Sequence, residues 1–231
     1  MASFTEIFKE LAQKVLNGLV RRELDPSKFN DPLAALTSWK PLKPGGASFQ
    51  TKVLSKVDSQ RIEYQASTGY NAFCLIFFAI GVGVFFLVQT TIYNDGLQNF
   101  KIHFDVLMFL PLFFCVVSAG MWWIGKKVNY FDLSSNSFGK GSESNSQKLC
   151  NLTEIAAIQI LPERIRTKNS SYTSYEFNLI LKDGSRLSVV DHGDLGVIHQ
   201  DVAEIQRFLG RRIPVFDATL PQYYIEKKLI A

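Results

Sequence analysis

Residues 72–93 read AFCLIFFAIGVGVFFLVQTTIY, without one charged side chain from Ala72 to Tyr93. A helix rises about 1.5 Å per residue, so a stretch of this length covers the roughly 30 Å hydrocarbon core of a bilayer. A second apolar stretch follows closely: Val106–Ile124, VLMFLPLFFCVVSAGMWWI, inside a span of 105–125. Its Pro111 sits near the start of that stretch, where a missing N–H matters least, and the Ser118 hydroxyl is able to bond back to its own helix. Both stretches are apolar all round. A chain of 231 residues has too little other sequence to wrap two such helices in a soluble core. The expectation is a two-helix transmembrane hairpin, anchored at the membrane interface by Tyr93, Trp122 and Trp123.

Charge gives the hairpin a direction. The net charge is only +4, but ten Lys and Arg precede the first span, one (Lys101) lies in the short loop 94–104, and Lys126 and Lys127 follow the second span directly. The positive-inside bias therefore predicts an integral, multi-pass protein with both termini cytoplasmic and the loop outside, in the inner membrane if the cell is Gram-negative. The start of the chain lacks a basic, apolar and small-residue leader, so the first span is expected to serve as its own insertion signal. Cys74, Cys115 and Cys150 have neither disulfide nor metal spacing. Within the first span Ala79, Gly81 and Gly83 form a small-residue helix-packing face, with Ala79 and Gly83 four residues apart. Its expected neighbour is the second span, and a homo-oligomer contact is the alternative. With only Gln89, Thr90 and Thr91 notably polar, the spans lack the ionisable groups of a transport path.

The remaining chain reads as foldable sequence on one side of the membrane. Residues 1–24 have the spacing of an amphipathic helix, with Ser3 and Glu6 as a capping box. Residues 25–47 are a Pro/Gly-rich linker with a short helical turn at Leu33–Leu36. Two strands, Phe49–Val57 and Arg61–Gln65, occupy 48–66. Beyond the spans, residues 126–217 carry strands at Val128–Asp132, Leu149–Leu161, Tyr172–Leu181 and Arg186–Val190, with GKGSESNSQ as a polar loop and Asp183–Gly184 as a hairpin turn. Asp194 caps a final helix that presents Ile198, Val202, Ile205, Phe208 and Leu209 on one face and stops at Gly210; residues 218–231 are a tail. A two-stranded piece is not stable alone. The strands of 48–66 are therefore expected to pair with those after the hairpin, in one cytosolic α+β domain into which the membrane hairpin is inserted.

This order, through VNYFD, EFNLILKDGSRLSVVDHGD and EIQRFLG, resembles the pleckstrin-homology-like domains of bacterial two-span membrane proteins. The resemblance implies a β-sandwich or barrel with a C-terminal helix, and no catalytic centre.

The sequence offers little chemistry. Asp191, His192, Gly193 and Asp194, with His199 following, are the one cluster with metal-ligand residue types. The reading preferred is a strand-to-helix turn with Gly193 serving the backbone, Asp194 the cap and His192 exposed, so no metal, cofactor or catalytic residue is expected. Nucleophile-elbow, phosphate-loop, dinucleotide and C-x-x-C patterns are absent from the sequence. Basic residues of the tail domain, such as Arg164, Arg166, Arg207, Arg211 and Arg212, are matched by acids nearby, which argues against nucleic acid and for a solvated or headgroup-facing surface. The expected partners are the lipid bilayer and a membrane-acting protein. In general build (small, few spans, no active site) the chain is similar to inner-membrane immunity proteins that neutralise secreted toxins. The resemblance implies a cognate toxin as that partner. An envelope regulator or assembly scaffold is the alternative, and a membrane enzyme of unrecognised type the second.

Overall fold

The computed structural model describes residues 25–95, 101–142, 145–168 and 170–220, the side chains of 91–108 and 142 excepted. The amphipathic helix expected over 1–24, the tip of the inter-helix loop, the Tyr93 ring and the tail from 221 onward lie outside what is described. The fold is mixed α+β, with two β-sheets and two long helices.

After a 3₁₀ turn at Pro26–Phe29 and helix α1 at Pro32–Leu36, strands β1 (Lys52–Lys56) and β2 (Arg61–Ala66) form a hairpin. Long helices α2 (Thr68–Asp95) and α3 (Lys101–Gly125) follow, then β3 (Val128–Asp132), β4 (Ser137–Ser142) and β5 (Asn145–Asn151). These five strands make one sheet in the order β1-β2-β3-β4-β5. The join expected across the long helices is present: Ile62 pairs with Phe131 and Tyr64 with Asn129. The second sheet contains β6 (Ile155–Arg166), β7 (Ser171–Leu181), β8 (Arg186–His192) and β9 (Val215–Asp217) in the order β8-β7-β6-β9. Helix α4 (Leu195–Phe208) lies between β8 and β9 in the chain.

Both sheets and α4 share one core. Ile62, Tyr64, Phe131 and Phe138 of the first sheet meet Ile158, Ile160, Phe177 and Leu179 of the second, with Ile198, Val202 and Ile205 from α4. Each such side chain, fully removed from water, contributes about 1.5–3 kcal/mol. Asp194 caps α4 as expected, its carboxylate accepting from the Val197 N–H at 3.1 Å. Gly210 follows the helix with φ +62°, a conformation a side chain disfavours.

Several boundaries differ from the sequence reading. The polar stretch GKGSESNSQ is not a loop: β4 and β5 run through it as a hairpin, because backbone pairing does not require apolar side chains on an edge. Leu149–Leu161 is not one strand. A 3₁₀ turn at Leu152–Glu154 divides it, held where the Glu154 carboxylate accepts from the Asn151 N–H at 2.7 Å, and β5 and β6 enter different sheets. Strand β9 pairs in parallel with β6 and was not legible in three residues of sequence. Pro111 lies well inside α3 rather than near its start, since the helix begins at Lys101.

Residues 25–50 are a docked strap rather than a free linker. Trp39 stacks on Phe29 at 4.9 Å between centroids, and both rings pack with Phe216, Ala157 and Ile180 on the side of the second sheet away from the main core.

Candidate functional site

Helix α2 is long and apolar enough to cross a membrane, the most apolar 18 residues within Thr68–Thr90 having a mean hydropathy of 2.5. The apolar part of α3 among the described residues, Phe109–Gly125, is shorter. The two helices pack along a narrow seam. Cys74, Gly81 and Val88 are buried on α2, and Pro111, Ser118 and Gly125 on α3. The spacings are close to seven residues, the repeat that keeps one stripe of a helix facing its neighbour. Among the described side chains many others on these helices face outward: Leu75, Ile76, Phe86, Phe109 and Phe113 are each more than half exposed.

The three small residues of the expected packing face part company. Gly81 is in the seam, where an added Cβ would lie 2.7 Å from Cys115 Sγ and 3.0 Å from the Pro111 carbonyl oxygen. Ala79 and Gly83 are exposed, and a Cβ on Gly83 would meet nothing. Two residues along a helix is a rotation of about 200°, so Gly81 faces the partner only if Ala79 and Gly83 do not. Ser118 does not bond its own helix; its hydroxyl donates to the Cys74 carbonyl of α2 at 2.6 Å. Tyr70 likewise donates to the Met121 carbonyl at 2.7 Å, next to Gly125.

At the domain end of the helices the residues expected to anchor at an interface differ in their surroundings. Trp122 and Trp123 are exposed, and the Lys126 ammonium sits 5.7 Å from the Trp122 ring centroid. The Lys127 carbonyl accepts from Lys52 Nζ at 2.5 Å, tying the exit of α3 to β1. The entry into α2 is fixed by Ser67. Its hydroxyl caps the helix by accepting from the Tyr70 N–H at 3.0 Å and donates to the Gln50 carbonyl.

The turn at Asp191–Asp194 does not assemble a metal centre. His192 is fully buried, not exposed, and its Nδ1 accepts from the Asp194 N–H at 3.2 Å. Burial holds its pKa below the usual value, which keeps the ring neutral. His199 pairs instead with Asp217 on β9, Nε2 to Oδ2 2.8 Å, locking α4 to the second sheet. Asp191 turns to Ser174, whose hydroxyl donates to it. Among the described residues no group of three His, Cys, Asp or Glu is placed to hold a metal. Gly193 has a packing role, because a Cβ there would collide with the Ser48 carbonyl of the strap.

Under that strap lies a row of polar groups that sequence reasoning missed. Glu176 is 1% exposed, and its carboxylate accepts from the Leu42 N–H at 2.8 Å. Gln159 donates to the Ser38 carbonyl and accepts from Arg186; Tyr172 donates to the Gly46 carbonyl; and the Gly45 N–H donates to Glu163. Glu176 and Asp191 are cross-strand partners, and burial raises both above the usual carboxylate range. A carboxylate pair of this kind is a candidate for acid–base work. Here the Leu42 amide and the Ser174 hydroxyl occupy it, so the row holds backbone. The available signal was apolar residues on both faces of β6 and β7 (Ala157 with Ile158, Leu179 with Ile180), which marks a sheet covered on both sides.

Comparison of the chain with known protein families, with curated proteins and with solved structures finds no match in any of the three.

Proposed function

We propose that the chain is a non-catalytic integral membrane protein that acts by binding. Its two helices cross the bilayer and return, both termini remain cytoplasmic, and the two-sheet domain is carried at the inner membrane surface as a recognition module. One relationship carries this reading: α2 leaves β2 through Ser67, α3 rejoins β3 through Lys126 and Lys127, and β2 and β3 are hydrogen-bonded neighbours. A membrane insertion with both ends in one sheet must leave from and return to the same side. The outward apolar side chains of both helices supply the reason for a bilayer, since an exposed surface of that extent in water would drive association. Carbonate extraction tests the anchoring, and reporters fused at Met1 and Ala231 test the direction. Retention in the pellet with both reporters cytoplasmic supports the reading; release, or reporters on opposite faces, removes it.

Its more specific form is an inner-membrane immunity protein, in which the helices or their outer loop occupy the insertion surface of a membrane-acting toxin and the domain, of pleckstrin-homology-like build, supports the fold. Small size, few spans and the covered carboxylate row support it. Cells lacking the protein are then depolarised by toxin-bearing sibling cells and complemented cells are not. Equal survival of both sinks the immunity form.

An envelope scaffold is favoured by a different observation. Strand β1 is a sheet edge with Val53 exposed on it and Val57 exposed just past its end, which is a surface that a cytosolic partner strand can extend. Charge reversal along β1 that abolishes partner capture, without loss of toxin resistance, selects this second reading.

A further inference from the structure

Residues 38–50 of the strap make no backbone–backbone hydrogen bond among the described residues. Side chains of the second sheet hold them instead, by bonding the strap's backbone. Glu176 accepts from the Leu42 N–H, Glu163 accepts from the Gly45 N–H at 3.0 Å, and Tyr172 and Ser174 donate to the Gly46 and Ala47 carbonyls. A segment held by a few such bonds, without a ladder, opens well before the domain unfolds. Rings anchor both ends: Trp39 on Phe29, and Phe49 on Phe73 of α2 at 6.3 Å. Between them Gly45, at φ +93° and with open space around it, supplies a place to bend.

The face that the strap covers is acidic. Glu176 and Asp191 are cross-strand partners, and a Cβ on Gly46 would overlap Asp191 and Ser174, so the strap lies directly on the pair. The charged groups that face the pair are Glu163 from β6, Arg186 from β8 and Lys43 from the strap. Among the described residues none of the three carboxylates is ion-paired, and Arg186 bonds Gln159 instead. Buried Glu176 receives one N–H, and Asp191 receives the Ser174 hydroxyl. In the same row Asn178 Oδ1 is buried with no donor at all. The row thus holds more acceptors than donors. One added proton removes a buried charge and supplies a donor. Both carboxyls accordingly lie above their usual range, with burial the main cause.

We propose that strap residues 38–48 are a proton-linked latch: a proton taken up by the Glu176–Asp191 pair closes the strap over the second sheet, and loss of that proton frees it. The sign follows from burial. Opening returns the carboxyls to water, where they hold a proton less tightly. Closure is therefore favoured most at low pH, and the advantage is lost as pH rises through the raised values. A freed strap bares the side chains that bind its backbone. Its far end continues into Gln50, whose carbonyl accepts from Ser67 at the start of α2, so the latch adjoins the root of the long helices. It stands on the domain alone and does not depend on the membrane reading.

The test is amide hydrogen exchange of the full chain in a neutral detergent at pH 4.5 and pH 8. Mass spectrometry reads peptides covering 38–48, corrected for the pH dependence of intrinsic exchange, and peptides of β7 report global opening in the same samples. Strap protection relative to β7 is expected to be about tenfold higher at pH 4.5. Glu176→Gln keeps an acceptor for the Leu42 N–H without the charge. It is expected to raise strap protection at pH 8 to the pH 4.5 level and to flatten the response. If that variant does not fold, Asp191→Asn gives the same reading with a smaller rise. Wild-type protection that is flat, or that falls toward acid, overturns the latch. So does a response that β7 shares in full, or one that persists unchanged in the variants.

Discussion

Tyr64 of β2 and Asn129 of β3 are antiparallel partners in the middle of one sheet, although both long helices lie between them in the chain. Both are buried, Tyr64 completely. Residues before the helices are thus part of the same core as residues after them. Expressed alone, 126–231 loses β1, β2 and the strap together, exposing Phe131 and Phe138 and leaving the Glu176 carboxylate without its amide. That fragment is expected to melt without a cooperative transition in calorimetry, whereas a sharp monomeric melt would contradict the shared core.

The helix seam makes a paired expectation. Gly81→Leu forces a side chain against Cys115 and Pro111 and is expected to cost about 1–3 kcal/mol, the usual range for overpacking. Gly83→Leu, two residues on, points into open space and is expected to leave the melting temperature in detergent unchanged. Equal effects of the two would mean that the helices pack on another face.

Asp201 of α4 comes up against the Tyr64 hydroxyl inside the core, and neither Asp201 Oδ2 nor the Tyr64 hydroxyl completes a normal hydrogen bond. Burial pushes Asp201 up to about 6. A carboxyl with a folded pKa above its unfolded value binds its proton more tightly when folded. Its contribution to stability is therefore greatest near pH 4 and falls as pH rises through about 6. The whole effect is on the order of 3 kcal/mol. Buried His192 acts in the opposite sense, since its lowered pKa costs stability as pH falls below its unfolded value. The clean readout is consequently the difference between Asp201→Asn and wild type. Denaturant melts are expected to show the variant more stable at pH 8, with the gap shrinking toward pH 5. A gap that does not vary with pH would show that Asp201 does not titrate there.

The strap responds to two distant substitutions. Trp39→Ala removes the stack on Phe29 and the indole bond to the Ala34 carbonyl, 2.8 Å. Gly193→Ala pushes Ser48 off the turn before α4. Each is expected to cost about 2–4 kcal/mol, within the range for lost aromatic packing and forced overlap, and to open the chain near residues 40–48 to limited proteolysis. Wild-type resistance in both variants would mean that the strap is not held by these contacts.

What was legible in the sequence follows from which interactions leave a local trace. The apolar stretch from Ala72, the Asp194 cap, the Asp183–Gly184 turn and the existence of β7 are written in neighbouring residues, and each appears where expected; the alternation of β7 does not carry through to burial, since Glu176–Ile180 are buried on both faces. The pairing of β2 with β3 followed from an argument about what a lone hairpin lacks. The strap was missed because its partners are far away: a Pro/Gly-rich stretch looks like a linker unless one knows that Glu176, Gln159 and Tyr172 await its backbone groups. His192 was misread for a similar reason, since a turn is normally at the surface and this one is covered by Ser48.

The account as a whole depends on the long helices being an insertion into a sheet that is complete without them. Replacing residues 67–126 by a two-residue Asn-Gly turn, which joins Ala66 to Lys127 in the existing register of β2 and β3, tests this directly by fractionation and calorimetry. The account expects the intact chain to remain with membranes after carbonate, and the shortened chain to be a soluble monomer with a cooperative melt. A shortened chain that is unfolded, or an intact chain that washes free, would contradict it.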